Sequence, residues 1–176
     1  TYHMEAGNRC FDMNVPEEVN RKIIDHTADF NLVYTNHARS NLISEGIHPR
    51  FIYLTGSPLK EVIDFYLSEI KSSSVTKELN LDKKKYILIS IHREENVDDK
   101  NTLIKIYEII RFLKEYYNLK IIFSTHPRTR NRLNTLQLLD KDCGIEFCKP
   151  FGYFDYMNLQ MNSFCVVSDS GTITEE

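Results

Sequence analysis

Along the chain, stretches whose apolar positions recur at helical spacing alternate with short β-branched runs, which predicts an α/β fold layered around a mostly parallel sheet. Pro16 stands at the first position of a predicted helix reaching about residue 28, where its fixed φ suits the helix and its missing N–H is no loss. A strand at 31–34, a helix at about 37–45 and a strand near 51–54 follow. Gly56-Ser57-Pro58 interrupts the pattern, a helix resumes to about residue 70, and Lys71-Ser72-Ser73-Ser74 reads as a polar passage between two lobes. Beyond it the alternation is regular. Strands are predicted at 86–91, 119–125, 145–148 and 164–168, with helices near 100–116, 128–136 and 154–161. Each of these strands is short and apolar, as a sheet covered on both faces requires.

Composition then narrows the classes of partner. The chain carries 22 Lys and Arg against 25 Asp and Glu, and the basic residues are scattered, so no electrostatic footprint for nucleic acid stands out. Cys10, Cys143, Cys148 and Cys165 show no paired metal-ligand spacing, and several fall in strand-like apolar runs where a thiol behaves as a small hydrophobe. No apolar run approaches the roughly 20 residues that a membrane helix needs, and the first residues have neither a basic start nor an apolar signal core. The expectation is a cytoplasmic protein with no membrane or nucleic-acid partner. The chain opens at Thr1 without Met and stops at Glu176, barely a helical turn after Phe164-Cys165-Val166-Val167. A helix that short does not cover the strand feeding it, so a piece of a longer protein is expected.

Open parallel sheets bind ligands outside the carboxyl ends of their strands, so the residues that follow each strand are the ones to inspect. Three such ends are polar: His92-Arg93-Glu94-Glu95-Asn96, His126-Pro127-Arg128 and Asp169-Ser170-Gly171-Thr172. A histidine there reads either as functional or as a satisfied surface group. The Ser170 turn reads either as an anion site at a helix start or as an ordinary N-cap. Arg128, Arg130 and Arg132 fall in a first helical turn, where cations are disfavoured unless an anion is near; a solvated basic face accounts equally for Arg130 and Arg132. Glu5, Asp12, Glu17 and Glu18 crowd an irregular segment with Arg9, Asn20 and Arg21. Such carboxylates suit general acid and base work, although Glu17 and Glu18 behind Pro16 also favour a helix dipole with no catalytic duty.

The segments stop being independent when taken in order. His3-Met4-Glu5-Ala6-Gly7-Asn8-Arg9, Pro16-Glu17-Glu18-Val19-Asn20-Arg21, Thr55-Gly56-Ser57-Pro58, His92-Arg93-Glu94-Glu95-Asn96, His126-Pro127 and Asp169-Ser170-Gly171-Thr172-Ile173-Thr174-Glu175-Glu176 together resemble the non-hydrolysing UDP-N-acetylglucosamine 2-epimerase family over nearly the whole chain. The resemblance implies two Rossmann-like lobes of GT-B type, a cofactor-free and metal-free enzyme, a UDP-sugar substrate held between lobes, and a homodimer in the full-length protein. On that reading residues 1–57 are the remnant of a truncated N-terminal lobe, 58–84 a helical connection and 85–176 an incomplete C-terminal lobe. It casts Glu5, Glu17 and His92 as catalytic. Phe151, Tyr156, Ser170, Gly171, Thr172 and Glu176 become UDP-binding, and Arg9, Arg93, His126 and Arg128 become phosphate or substrate contacts. Two departures from the family wording stand out: Thr172 stands where many relatives carry a second glycine, which tightens the phosphate turn without removing its N–H donors, and Asn8 with Cys10-Phe11-Asp12 stands where the glucosamine enzymes usually read Leu and then Thr. That wording is similar to the branch that acts on UDP-2-acetamido-2,6-dideoxy-L-talose, the UDP-N-acetyl-L-fucosamine synthases of capsule and O-antigen synthesis.

The reaction so implied is inversion at C2 by elimination and re-addition of UDP, because a C2 hydrogen with no neighbouring carbonyl is too weakly acidic for a base alone. The alternatives are a GT-B glycosyltransferase, a hydrolysing relative, and a non-catalytic UDP-binding fragment; for the 176 residues alone, inactivity is the expectation.

Overall fold

The computed structural model describes residues 1–139 and 144–174; Cys143 and Glu176 lie outside them. The chain divides into two compact units, Thr1–Glu61 and Val62–Glu176. Both are α/β with parallel strands, the class the alternation predicts.

In the first unit β1 (Tyr2–Met4), β2 (Phe30–Val33) and β3 (Ile52–Leu54) pair in that order, all parallel. Helix α1 (Pro16–Thr27) connects β1 to β2 with proline in its first turn, and α2 (Asn36–Ser44) connects β2 to β3. Thr35 caps α2 by accepting from the Ala38 N–H at 3.1 Å, which satisfies one of the donors left over at a helix start. Ala6, Val33, Ala38, Leu42 and Ile52 form the buried cluster beneath these elements. Strand β1 is the element that periodicity did not reveal. Three residues, Tyr-His-Met, are too few to show alternation, and pairing of Tyr2 with Phe30 and Met4 with Leu32 defines them as a strand.

The units divide within the first of a run of α-helical segments. A continuous helix to residue 70 was expected, whereas α3 (Leu59–Phe65) stops at Tyr66 and α4 (Leu67–Ser72) restarts beyond it. The break has a packing cause. Tyr66 leaves the helical conformation with its ring 5.4 Å from that of Phe154, and fully buried Ile70 gives its carbonyl to the Asn158 amide at 2.8 Å. The polar run 71–74 belongs to the second unit: Ser73 donates to Asp155 at 2.6 Å and leads into α5 (Val75–Glu78).

There follow β4 (Tyr86–Ser90), α6 (Glu94–Val97), α7 (Lys100–Tyr117), β5 (Lys120–Ser124), α8 (Pro127–Thr135), β6 (Ile145–Cys148), α9 (Tyr153–Asn162) and β7 (Cys165–Ser168). The four strands are parallel in the order β6-β5-β4-β7. Alternate side chains of β4 and β5 separate the two faces, as the pleat demands. Ile87, Ile89, Ile121 and Phe123 pack with Leu103, Tyr107 and Ile110 of α7 and Leu133 of α8, while Tyr86, Leu88 and Ile122 pack with Leu159 of α9 and Val75 of α5. Burying one such aliphatic side chain contributes about 1.5–3 kcal/mol, so two covered faces account for the near absence of polar residues in these strands. Asp99 caps α7 by accepting from Thr102 N–H at 2.7 Å, and Asn118 ends it in the left-handed conformation. Among the described residues no helix is long and apolar enough to cross a membrane.

Candidate functional site

The strand order of the second unit sets its site. From β4 the chain steps to β5 and β6, then crosses back to the other side of β4 as β7. Successive connections therefore run to opposite sides of β4, and such a switch point opens a crevice beyond the carboxyl ends of β4 and β7. Ser90 of β4 lies in register with Ser168 of β7, so His92 and Ser170 leave the sheet side by side at that edge.

One carboxylate joins them. Asp169 accepts from the backbone N–H of His92 at 3.1 Å and of Arg93 at 2.8 Å, and from the Asn96 amide at 3.1 Å. His92 Nδ1 lies 3.3 Å from the same carboxylate; the imidazole is 52% exposed and Asp169 only 10%. In the turn itself Ser170 N–H donates to the Ser168 hydroxyl at 3.1 Å, and the Ser170 and Thr172 hydroxyls are 2.8 Å apart. Gly171 opens a short 3-10 turn, Gly171–Thr174, with open space where a Cβ would stand.

The remaining expected residues of this unit divide by what holds them. His126 caps α8, its Nδ1 accepting from Arg128 N–H at 3.4 Å, so that nitrogen is used structurally. Arg128, expected as a phosphate contact, has its guanidinium on Glu94 and on Asp98, the latter at 2.6 Å. The anions that offset a cation in this first helical turn are thus protein carboxylates from α6 and the residue after it. Arg93 is half exposed and reaches Glu95 at 3.7 Å. Phe151 and Tyr156 are half-buried where the chain passes from β6 into α9, packed against the cluster of Tyr86, Leu88 and Leu159. Cys148 lies half-buried in β6, where burial pushes its thiol up to about 11, an inert and largely protonated group.

In the first unit Glu5 follows β1 directly, at the carboxyl end of its strand, with a left-handed φ of 61°. Such a conformation in a non-glycine residue is strained and needs its surroundings to hold it. They do so from beneath. Buried Asp25 of α1 accepts from Gly7 N–H at 3.2 Å and pairs with His3 Nδ1 at 2.7 Å and Arg9 Nη1 at 2.7 Å. Asn41 of α2 donates to the Gly7 carbonyl at 3.0 Å. Arg9, expected as a phosphate contact, is instead an interior residue: its side chain is fully buried and forks onto Glu45 at 2.7 and 2.6 Å. Arg9 in turn holds the Glu45 carboxyl down to about 2. Glu5 itself remains exposed and accepts from the Asn8 amide at 3.1 Å.

Glu17 is exposed in the first turn of α1, and its neighbour Glu18 is fully buried. Glu18 takes hydrogen bonds from the Cys10 N–H at 2.9 Å and the Cys10 thiol at 3.4 Å. Burial raises its pKa, and the donors from Cys10 and Phe11 together with Lys22 outweigh burial and hold it below the ordinary value. The dipeptide therefore splits into one carboxylate that ties the Cys10 loop to α1 and one that faces solvent. Asp25 is the residue that sequence reasoning missed, because its partners His3, Gly7 and Arg9 lie 16 to 22 positions away. Glu18 was named only within a crowd of carboxylates and Asp169 only within the Ser170 turn, and neither was given its structural role.

Among the described residues no group of His, Cys, Asp and Glu is arranged to hold a metal ion. The profile of the family described as UDP-N-acetylglucosamine 2-epimerase matches residues 1–176. The chain belongs to this family. Its members include the UDP-N-acetylglucosamine 2-epimerase of Methanocaldococcus jannaschii, 36% identical over 183 residues that span 99% of this chain and 49% of the relative. The solved structure of that enzyme in complex with UDP-GlcNAc and UDP superposes with a TM-score of 0.89 at 36% identity, over 99% of this chain and 49% of that one. The UDP-N-acetylglucosamine 2-epimerase of Rickettsia bellii is 46% identical, with a TM-score of 0.86 over 99% of this chain and 46% of the other. These neighbours are epimerases of GT-B type. The chain spans about half the length of the 2-epimerases it matches.

Proposed function

We propose that the protein containing this chain inverts C2 of a UDP-linked N-acetylamino sugar by eliminating and re-adding UDP. The observation that carries the reading is the alignment of His92, Asp169 and Ser170 at the switch point of the second unit, in a chain whose family relatives are named as UDP-N-acetylglucosamine 2-epimerases and include one solved with UDP. On this reading the electron pair of the breaking C1–O bond passes to the diphosphate. Donors fixed before the reaction stabilise that charge by several kcal/mol, and Ser170 with the backbone of Gly171 and Thr172 supplies them. His92 meets the same departing group. Phe151 and Tyr156 flank the uracil and Glu176 grips the ribose. Glu5 and Glu17, both exposed, remove and return the C2 proton on the way through a glycal. Arg93 and His126 lie on the same edge of the sheet as further substrate contacts.

The substrate we propose is UDP-2-acetamido-2,6-dideoxy-L-talose, which places the protein in capsule or O-antigen synthesis as a cytoplasmic homodimer. Asn8 supports it: the residue that departs from the usual glucosamine wording donates a hydrogen bond to Glu5, the carboxylate assigned to the proton. Residues 1–57 and 85–176 then belong to the two lobes, with 58–84 between them, and the 176 residues alone bind UDP without turnover.

Incubating the whole protein with each UDP-sugar in deuterated water tests this. Deuterium entering C2 with UDP-sugar as the product is the expected result. Transfer to an acceptor without exchange, or release of free sugar and UDP as the sole outcome, overturns it, and turnover by the isolated chain overturns its last clause.

A further inference from the structure

Asp169 does more than close a turn. Among the described residues the hydrogen bonds it receives come from the loop after β4, two backbone N–H groups and the Asn96 amide, and His92 Nδ1 lies 3.3 Å from the same carboxylate. It is the residue immediately before Ser170, so one carboxylate ties the histidine loop to the serine turn across the β4–β7 pair. Among the described residues the other charges along this edge pair with one another, Arg93 with Glu95 and Arg128 with Glu94 and Asp98, and Asp169 is the carboxylate next to His92.

We propose that Asp169 is the positioning residue of His92. A carboxylate can only accept, so a ring nitrogen 3.3 Å from it is stabilised when it carries the hydrogen; in the neutral ring that favours the tautomer with Nδ1–H and leaves Nε2 as the acceptor for a ligand. Free histidine favours the opposite tautomer. The carboxylate's three hydrogen bonds hold the His92 N–H, the Arg93 N–H and the Asn96 amide, so the loop and the ring it carries are positioned by one group, and Ser170 follows that group directly in the chain. This role rests on the functional reading above, in which His92 meets the departing diphosphate. Asp169 itself touches no substrate in that scheme; it acts through His92 and through the loop.

The test uses the 176-residue chain, labelled with 15N at histidine, and reads the ring nitrogens of His92 by long-range proton–nitrogen correlation. The wild type is expected to show Nδ1 protonated and Nε2 bare in the neutral ring. Asp169→Asn keeps the size but lets an amide donate to Nδ1, so the majority tautomer is expected to switch to Nε2–H, with UDP affinity falling about tenfold. A wild-type ring that is mainly Nε2–H, or a tautomer unchanged in Asp169→Asn, overturns the proposal. Should Asp169→Asn fail to fold, judged from its backbone amide spectrum, the wild-type tautomer alone decides. UDP titration separates this from the functional reading. An Nδ1–H ring that ignores UDP, with Ser170 N–H also unmoved, sinks the functional reading while the His92–Asp169 pairing stands.

Discussion

Arg9→Met distinguishes an interior strut from a ligand contact. The Arg9 guanidinium makes charge-assisted bonds to Glu45 at 2.7 and 2.6 Å and to Asp25 at 2.7 Å, and a further bond to the Asn8 carbonyl at 2.8 Å. Methionine fills much of the same volume, so little cavity opens. What the substitution leaves is the Asp25 carboxylate, fully buried, with only Gly7 N–H and His3 to face. An uncompensated buried charge of this kind destabilises by about 3–5 kcal/mol, against less than about 1 kcal/mol for an exposed cation. Urea unfolding followed by circular dichroism gives the stability, and hydrogen exchange at Gly7 and Val33 confines the loss to the first unit. Adding Asp25→Asn to Arg9→Met is expected to cost less than the sum of the two single changes, since the orphaned charge is gone. A loss under about 1 kcal/mol accompanied by weaker UDP binding refutes the strut and returns Arg9 to the phosphate.

Three further outcomes are expected. Because Arg9 first, and His26 after it, hold Glu45 below its ordinary 4.5 to about 2, Glu45 contributes stability that is fully present above about pH 4.5 and is lost as pH falls through about 2. The depression corresponds to at most about 3 kcal/mol, less the screening of a carboxylate about a quarter exposed, and a Glu45→Gln variant should show a flatter stability profile across that window in acid titration of the urea midpoint. Gly7→Ala should destabilise by more than about 1 kcal/mol in the same melts, because its φ of +77° strains any side chain and the new Cβ would stand 2.4 Å from the Ala38 carbonyl oxygen. His92→Ala and Ser170→Ala should weaken UDP binding, measured by calorimetry, while shifting the unfolding midpoint little; equal loss of binding and stability would mark both as structural.

The second unit was legible because its strands are covered on both faces, and that demand writes itself into the sequence as apolar runs such as residues 86–89 and 121–123. Strand β1 was not, since three residues carry no period and pairing with β2 is a distant event. The kink at Tyr66 escaped for a related reason: neither Gly nor Pro marks it, and it exists because Ile70 and the Tyr66 ring find partners on α9. The wording around Glu5, His92 and Ser170 pointed to the family before any coordinates did. It did not distinguish Glu17 from Glu18, although one faces solvent and the other is fully buried.

Local chemistry therefore settled most of the element types, which depend on neighbours within a few positions, and the order of six short motifs along the chain settled the family to which it belongs. Tertiary structure alone decided which charges are spent inside. Arg9 and Arg128 look alike as letters beside polar motifs, yet one is sealed against Asp25 and Glu45 and the other is claimed by Glu94 and Asp98. The same holds for Asp169, whose partners come from the segment after β4, 73 to 77 positions earlier. The physical reason is that a charge's role is set by what replaces its water, and those replacements arrive from distant segments only when the sheet has formed.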